Sequence, residues 1–240
     1  MKSFKLFFLV LLAALPVLQS CNDSDTEGAD SVALVTINNP GGLAGTFHFT
    51  ADNGQTLYPS EMTDVFFGYN PDDGQRALIY YSLLDTKKEG YDYNIKLYAL
   101  QAILTKEVEP MDPNDPTDVE NFGEDPIEVA KINNVYDCLI SGGYLTLTYN
   151  IYATLQGETH KISLVRNTHD TDTEEPEYTM LELRHKAEAS IEDAGKRSGV
   201  VSFKLGEYDP AVTNKKGILL RVKHLDESET EEYIKINYEK

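Results

Sequence analysis

The sequence has little of the material from which several common kinds of protein are built. Tryptophan is absent, and cysteine occurs only twice among 240 residues. Basic residues are few: 21 lysines and arginines stand against 40 aspartates and glutamates, which gives a formal net charge of -19. Because lysine and arginine supply most of the affinity of proteins for nucleic-acid phosphates, this deficit argues against a DNA or RNA partner. No cofactor is predicted, since phosphate-binding loops and dinucleotide-binding glycine motifs are missing.

Long apolar runs are also missing, apart from one near the start. The run Leu6–Leu18 is apolar and follows Lys2 and Lys5, which is the pattern of a secretory signal. It contains Pro16 and is shorter than the ~20 residues of a membrane-spanning helix. The sequence therefore predicts a signal peptide over residues 1–20 and no transmembrane helix.

The residues at the end of this run predict a lipid anchor. The segment Leu18-Gln19-Ser20-Cys21 resembles the lipobox of bacterial lipoproteins, in which the cysteine is acylated and becomes the first mature residue. We therefore expect palmitate and related acyl chains on Cys21, each buried CH₂ adding about 0.8 kcal/mol to membrane binding. The expected location is the cell envelope, as an outer-membrane lipoprotein that faces either the periplasm or the cell surface. A plain cleaved signal peptide is the alternative.

The second cysteine, Cys138, is predicted to be a small buried hydrophobe. With Cys21 lipidated, no intramolecular disulfide is available to the fold. A catalytic thiol needs a neighbouring base that lowers its pKa, whereas the nearest ionisable neighbour of Cys138 is a carboxylate, Asp137. Catalysis at this cysteine is therefore not expected.

The rest of the chain has the pattern of an all-β protein. Residues 21–31 are polar and acidic and predict a flexible tether. From Val32 onward, short runs rich in β-branched and aromatic residues alternate with Gly, Asn, Asp and Pro clusters. A hairpin is predicted between the runs 65–69 and 76–81, because Asn70-Pro71-Asp72-Asp73-Gly74 has turn-forming residues. A longer strand is predicted from Tyr91 to about Leu104.

An acidic, proline-rich segment divides the mature chain. Residues 109–126 contain four prolines and several carboxylates, and prolines remove backbone donors while like charges repel. This segment is predicted to be a linker between two domains, at residues 32–108 and 127–240. In the second domain, strands alternate cleanly over 144–152 and 178–185, and their spacing predicts an antiparallel β-sandwich. Residues 186–196 are the one weakly helical stretch.

Several segments together resemble the NigD-like lipoproteins of Bacteroidetes. The segments that carry the resemblance are 51–59 (ADNGQTLYP), 73–77 (DGQRA), 90–93 (GYDY), 103–106 (ILTK), 160–165 (HKISLV), 181–185 (LELRH) and 199–203 (GVVSF). The resemblance implies an amino-terminal, five-stranded OB-like barrel and a carboxy-terminal β-sandwich. It also implies a bacteriocin-immunity-like role and provides no catalytic residues.

The motifs of familiar enzymes and metal sites are missing from the sequence. There is no Gly-x-Ser-x-Gly elbow and no His-Glu-x-x-His, and none of the five histidines has a partner at helical metal-site spacing. No metal site is predicted. The acidic run from Asp112 to Glu120 and the segment 169–172 provide oxygen ligands, but neither matches a calcium loop, so a solvated linker is favoured for the first.

The fifteen tyrosines leave one binding hypothesis open. Aromatic faces stack on sugar rings, and OB-like barrels can bind oligosaccharides. The simpler interpretation is that they fill half-buried strand positions, as expected for Tyr80, Tyr91, Tyr93, Tyr144, Tyr149 and Tyr233. An exposed cluster of three or more tyrosines on the strand face of the barrel would favour sugar binding instead.

The sequence thus favours a non-enzymatic envelope lipoprotein that binds a protein or a glycan, with a protective role, while the identity of the ligand and any site residues other than Cys21 stay open. A structural accessory subunit of an envelope assembly is the alternative, and a hydrolase with an unrecognised site is a third hypothesis.

Overall fold

A computed structural model describes residues 28–42, 46–66, 68–154, 159–170, 175–187, 195–223, 225 and 231–239. The predicted signal peptide, Cys21 and most of the predicted tether lie outside these residues. The chain forms two compact units, one reaching Thr105 and the other beginning in the described chain at Lys106. Among the described residues, no helix is both long enough and apolar enough to cross a membrane.

The first unit is a closed five-stranded barrel, as predicted for an OB-like domain. The strand order around it is β1-β2-β3-β5-β4, and β3 runs parallel to β5. The strands are β1 (Ser31–Asn38), β2 (His48–Ala51), β3 (Thr56–Met62), β4 (Arg76–Leu83) and β5 (Tyr93–Ala102). The strand predicted from Tyr91 to Leu104 is β5, which is shorter at both ends.

Alternating apolar residues on these strands fill the barrel. Val35, Ile37, Phe49, Ile79 and Leu97 are fully buried in one cluster, and burial of such side chains is the main term that stabilises a small barrel. Because successive residues of a strand point to opposite faces, the neighbours of these residues face outward.

One charged pair is buried at the edge of the barrel core. The Arg76 side chain has no exposed surface, and its Nη1 and Nη2 lie 2.6 and 2.9 Å from the two carboxylate oxygens of Asp52. Nη1 also donates to Thr36 Oγ1 at 3.0 Å. Two parallel bonds of this kind fix both side chains, so the turn that carries Asp52 is joined to the start of β4.

The hairpin predicted between residues 65–69 and 76–81 is wrong in its first arm. A short 3-10 turn over Asp64–Phe66 replaces the predicted strand. Phe66 and Tyr69 pack against the barrel core, and their rings meet edge to face at 5.8 Å. These aromatics therefore cover the barrel as a loop rather than adding a strand to it.

The second unit is a β-sandwich. The hydrogen-bonded order is β10-β11-β14-β6-β12-β13-β15-β16, with β7 beside β11. Its strands are β6 (Leu104–Met111), β7 (Glu128–Val129), β10 (Cys138–Ser141), β11 (Tyr144–Ala153), β12 (His160–Asn167), β13 (Tyr178–Ala187), β14 (Gly195–Lys204), β15 (Gly217–Lys223) and β16 (Glu231–Asn237). The ribbon of β8 (Lys131–Ile132) and β9 (Val135–Tyr136) and the short helix α2 (Pro210–Thr213) complete the unit.

A single core joins the two layers of the sandwich. Leu145, Leu147 and Phe203 from one layer pack in the same cluster as Leu183 and Leu220 from the other. The alternation predicted for residues 144–152 and 178–185 is thus present in the structure. Of the weakly helical stretch 186–196, the described ends continue β13 and begin β14, and residues 188–194 lie outside the description.

The sandwich is mixed rather than purely antiparallel. Strand β12 is parallel to β6 and β13 is parallel to β15, whereas β11 is antiparallel to β14. The chain crosses to the other layer between β6 and β12 and again between β13 and β15. Parallel neighbours require such crossovers, and their direction cannot be deduced from the spacing of strands along the sequence.

The prediction of a linker over residues 109–126 is also wrong. Residues up to Met111 belong to β6, and helix α1 (Pro116–Phe122) follows. Asp115 caps the helix by accepting from the Thr117 backbone N–H at 2.8 Å, and proline occupies the first helical turn, both of which favour a helix start. Phe122 is buried with Met111 and Val165, so this segment is anchored to the sandwich.

Candidate functional site

The outer face of β2 and β3 carries a group of aromatic side chains. Phe49 and Leu57 are opposite each other in the antiparallel register and point into the barrel. The adjacent residues His48 and Tyr58 therefore point outward on the same face, and both are partly exposed.

A loop brings a third ring to this face. Asp92 lies at the end of the loop 84–92 between β4 and β5, and its Oδ2 accepts from both the backbone N–H and the hydroxyl of Thr56, at 2.8 and 2.9 Å. Both bonds lower the pKa of Asp92, and the bond from the backbone N–H contributes more than the bond from the hydroxyl. The carboxylate therefore stays ionised and holds the loop against β3. Tyr91 is thereby held beside Tyr58.

The three rings contact one another. The Tyr58 and Tyr91 ring centroids are 4.8 Å apart with planes tilted by 40°, and the His48 ring meets Tyr91 edge to face at 5.1 Å. Lys88 Nζ lies 4.5 Å from the centroid of Tyr58, as a cation over an aromatic face. We call His48, Tyr58, Lys88 and Tyr91 the barrel aromatic cluster.

Two polar side chains beside the starts of β3 and β5 contact each other. Gln55 Nε2 donates to the hydroxyl of Tyr93 at 2.9 Å, and that tyrosine is 37% exposed. Burial lowers the pKa of His48, with the Asp73 carboxylate acting in the opposite direction. The imidazole is therefore neutral at pH 7 and can both donate and accept.

This arrangement suits a flat or ring-shaped ligand. In OB folds, the face of strands 2 and 3, with the loop between strands 4 and 5, binds oligonucleotides or oligosaccharides. The barrel aromatic cluster lies on that face and that loop. Of these two ligand classes, the net charge of -19 disfavours nucleic acid.

The six tyrosines predicted to be half-buried in strands divide into different environments. Tyr144 is buried, Tyr80 and Tyr149 are half-buried, and Tyr233 is 50% exposed. Tyr91 is in a loop rather than a strand. Sequence reasoning missed the barrel aromatic cluster because its members come from two strands and one loop that are adjacent only in the closed barrel.

Of the cysteines considered in the sequence, only Cys138 is described. Burial, with a smaller contribution from the charge of Asp137, raises its pKa to about 12. The thiol is thus protonated at any physiological pH, which fits a hydrophobic packing role. Cys21, the predicted lipidation site, lies outside the described residues.

Of the described histidines other than His48, His160 and His185 contact each other and His169 lies apart from them; His224 lies outside the described residues. His160 Nδ1 and His185 Nε2 are 2.9 Å apart, and His185 Nδ1 is 3.0 Å from the Pro126 carbonyl oxygen. His169 Nε2 is 3.0 Å from Asp112 Oδ1 on the surface. Across the described ranges, no group of three or more His, Cys, Asp or Glu side chains is arranged to hold a metal ion.

The acidic run at residues 112–120 is used locally. Asp118 accepts from the Asp112 backbone N–H at 2.9 Å, and Asp115 caps α1. These carboxylates therefore shape the start of the helix.

A barrel of OB type followed by a β-sandwich defines a two-domain, all-β class of protein. Family models match both parts: the NigD-like N-terminal OB domain at residues 34–103 and the NigD-like C-terminal beta sandwich domain at residues 107–238. The chain belongs to the NigD-like family.

Solved structures of proteins from Bacteroides species share the fold. A protein of unknown function from Bacteroides vulgatus is 23% identical, with a TM-score of 0.67, and the match covers 87% of this chain and 90% of that one. A NigD-like immunity protein from Bacteroides caccae is 21% identical, with a TM-score of 0.58, covering 85% of this chain and 92% of that one. Among curated proteins, no match was found.

Proposed function

We propose that this chain is a non-enzymatic lipoprotein of the cell envelope that binds a glycan through the barrel aromatic cluster. The observation that carries the proposal is the contact among Tyr58, Tyr91 and His48 on the ligand-binding face of an OB barrel. Sugar rings have apolar faces that stack on tyrosine and hydroxyl groups that hydrogen-bond to polar groups, and the neutral His48 imidazole beside Tyr91 can both donate and accept.

Three features support a binding role over an enzymatic one. The cluster has no nucleophile beside a base, the described thiol is protonated, and the Asp92 carboxylate is already engaged by Thr56. A protein ligand is the other class that the sequence favours. Among the described residues, the cluster contains one cation, Lys88, which lies over the Tyr58 ring. An uncharged sugar ring can displace Lys88 and stack on Tyr58 in its place.

The test is a glycan array followed by calorimetry on the best glycan, with the mature chain carrying Cys21→Ala. Tyr58→Ala and Tyr91→Ala should each weaken binding by about tenfold, because an aromatic contact contributes roughly 0.5–1.5 kcal/mol beyond area burial. Tyr98→Ala is the matched control, since Tyr98 also lies under a lysine on the barrel but outside the cluster. Equal affinity of all four proteins for every glycan would refute the proposal.

The envelope location rests on Cys21 and requires its own experiment. Mass spectrometry of the protein from membranes should find acyl groups on Cys21, and Cys21→Ala should move the protein to the soluble fraction. Protease treatment of intact cells would distinguish the cell surface from the periplasm. An unmodified Cys21 in membrane-bound protein would contradict the anchor.

A protective role is the second proposal, and the immunity protein from Bacteroides caccae favours it. Cells lacking the gene should become sensitive to at least one toxin-producing competitor, and sensitivity should be reversed by the gene but not by its Tyr58→Ala variant. Equal sensitivity across a broad competitor panel would count against this role.

A further inference from the structure

A second concave site lies on the sandwich, apart from the barrel aromatic cluster. It is a cavity of about 200 Å³ on the outer face of the layer that contains β13, β15 and β16. Its lining is almost entirely charged: Glu124, Asp125, Glu182, Arg184, His185, Arg221, Lys223 and Glu231, with Leu183. A pocket of this volume holds a single side chain or a small organic ion.

The floor of the cavity is a buried ion network centred on Glu182. The side chain of this residue is only 1% exposed, although it alternates along β13 with Leu181 and Leu183, which face the core. Its Oε2 accepts from Arg184 Nε at 2.8 Å and pairs with Arg184 Nη2 at 2.6 Å, while Oε1 lies 3.2 Å from both Arg221 Nη1 and Asn167 Nδ2.

Glu182 is therefore saturated with donors and is not available to a ligand. Its role is to hold two guanidinium groups, one on each side of a single carboxylate. Burying charges is costly unless their mutual attraction and hydrogen bonds offset the lost hydration. On the outer face of a sheet, solvent-exposed residues could have stood in place of this network. The network gives the two arginines fixed positions, which is the requirement for recognition of planar oxyanions.

The outward edges of both arginines are held by weak partners. Arg184 Nη1 has one contact with Glu124 Oε1 at 3.1 Å, and Arg221 Nη2 has one contact with Glu231 Oε1 at 3.3 Å. The two glutamate side chains are 57% and 46% exposed. Each can turn into solvent at little cost, since exposed single contacts of this kind are worth little.

We propose that this cavity binds a carboxylate ligand, which displaces Glu124 and Glu231 and bridges Arg184 and Arg221. Once the two glutamates turn outward, the lining residues that the structure describes include three cations, Arg184, Arg221 and Lys223, and two carboxylates, Glu182 and Asp125. The two rim glutamates therefore act as internal competitors that occupy the arginines when no ligand is bound. The carboxylate can belong to a small dicarboxylic acid or to an acidic side chain of a polypeptide.

The experiment uses the mature chain with Cys21→Ala and two probes, succinate and the blocked peptide acetyl-Gly-Asp-Gly-amide, with succinamide as the uncharged control. Binding is followed by NMR shifts of the arginine Nε–H groups. The double variant Glu124→Gln/Glu231→Gln should bind the carboxylate probes about tenfold more tightly than the parent, because it removes both competitors while both residues are exposed enough for the fold to tolerate the change. The tighter of the two probes identifies the source.

Loss of the donors should have the opposite effect. Arg221→Gln should weaken the carboxylate probes by at least about tenfold, and Arg184→Lys, which retains the charge but not the fork, should also weaken them. An arginine variant that does not melt cooperatively is excluded as misfolded. The proposal is then judged by the binding of the Glu124→Gln/Glu231→Gln variant alone. Absence of binding by that variant, equal binding of succinamide, or tighter binding of 1,4-diaminobutane by the parent would overturn the proposal.

Discussion

Replacement of Asp52 by alanine should destabilise the barrel more than any surface substitution on the same unit. Arg76 would keep a guanidinium with no exposed surface and lose both bonds, at 2.6 and 2.9 Å, to its partner. Charge-assisted bonds contribute about 1.5–3 kcal/mol each, and removing one partner of a buried pair costs about 3–5 kcal/mol. The opening equilibrium of the barrel should therefore increase by about two to four orders of magnitude.

Hydrogen-exchange mass spectrometry can measure this effect, because peptides of the sandwich serve as an internal reference. Asp85→Ala, which removes an exposed carboxylate of the same unit, should change exchange by less than about 0.5 kcal/mol. The double variant Asp52→Leu/Arg76→Leu removes both charges and should recover most of the loss. If Asp52→Ala exchanges like Asp85→Ala, the pair does not stabilise the barrel and this reasoning is refuted.

Three further predictions concern the sandwich. Gly217→Ala should destabilise it by about 1–3 kcal/mol, because a Cβ there would clash with the carbonyl oxygen of Ile236 in β16. Gly195→Ala is the control: its Cβ would meet nothing closer than 3.9 Å, so the melting temperature should stay unchanged. Burial lowers the pKa of His185, although the bond to the Pro126 carbonyl acts in the opposite direction. The free energy of unfolding should therefore be independent of this histidine above its unfolded pKa of about 6.5 and should decrease as the pH falls below that value. A His185→Gln variant with the same pH slope would contradict this. Cys138, with its pKa near 12, should resist iodoacetamide at pH 8 until urea unfolds the protein, and rapid labelling of the native protein would show that the thiol is accessible.

The sequence predicted burial correctly where the alternation within one strand decides which side chains face the core. The alternation in β11 predicted that Leu145, Leu147 and Ile151 share a face, and all three lie in the core. The same alternation did not predict that Thr146 is buried too; its hydroxyl lies 2.6 Å from that of Ser202 on β14, a partner that alternation within one strand cannot reveal.

The failures came from signals that compete with one another. In residues 109–126, proline and charge argued for a linker, although Asp115 followed by Pro116 is a helix-start signal and Phe122 provides the apolar anchor. The run 65–69 has strand-forming residues, but tertiary packing of Phe66 on the barrel overrides this preference.

Neither proposed site could be predicted, since the residues of each come together only through the strand topology. Tyr58 and Tyr91 meet because β3 and β5 are neighbours in the closed barrel. Arg221 reaches Glu182 because β13 and β15 are parallel, and these residues are directly opposite each other in that register.

The parallel pairing of β6 with β12 also has a consequence for how the protein folds. Val108 in β6 has its partner at Leu164 in β12, so β6 is synthesised long before the strand with which it pairs. Contacts of such high sequence separation slow folding and leave strand edges open to aggregation. We therefore expect the barrel to fold before the sandwich, because all five strands of the barrel precede β6 in the chain, whereas β6 must wait for a strand that is synthesised much later.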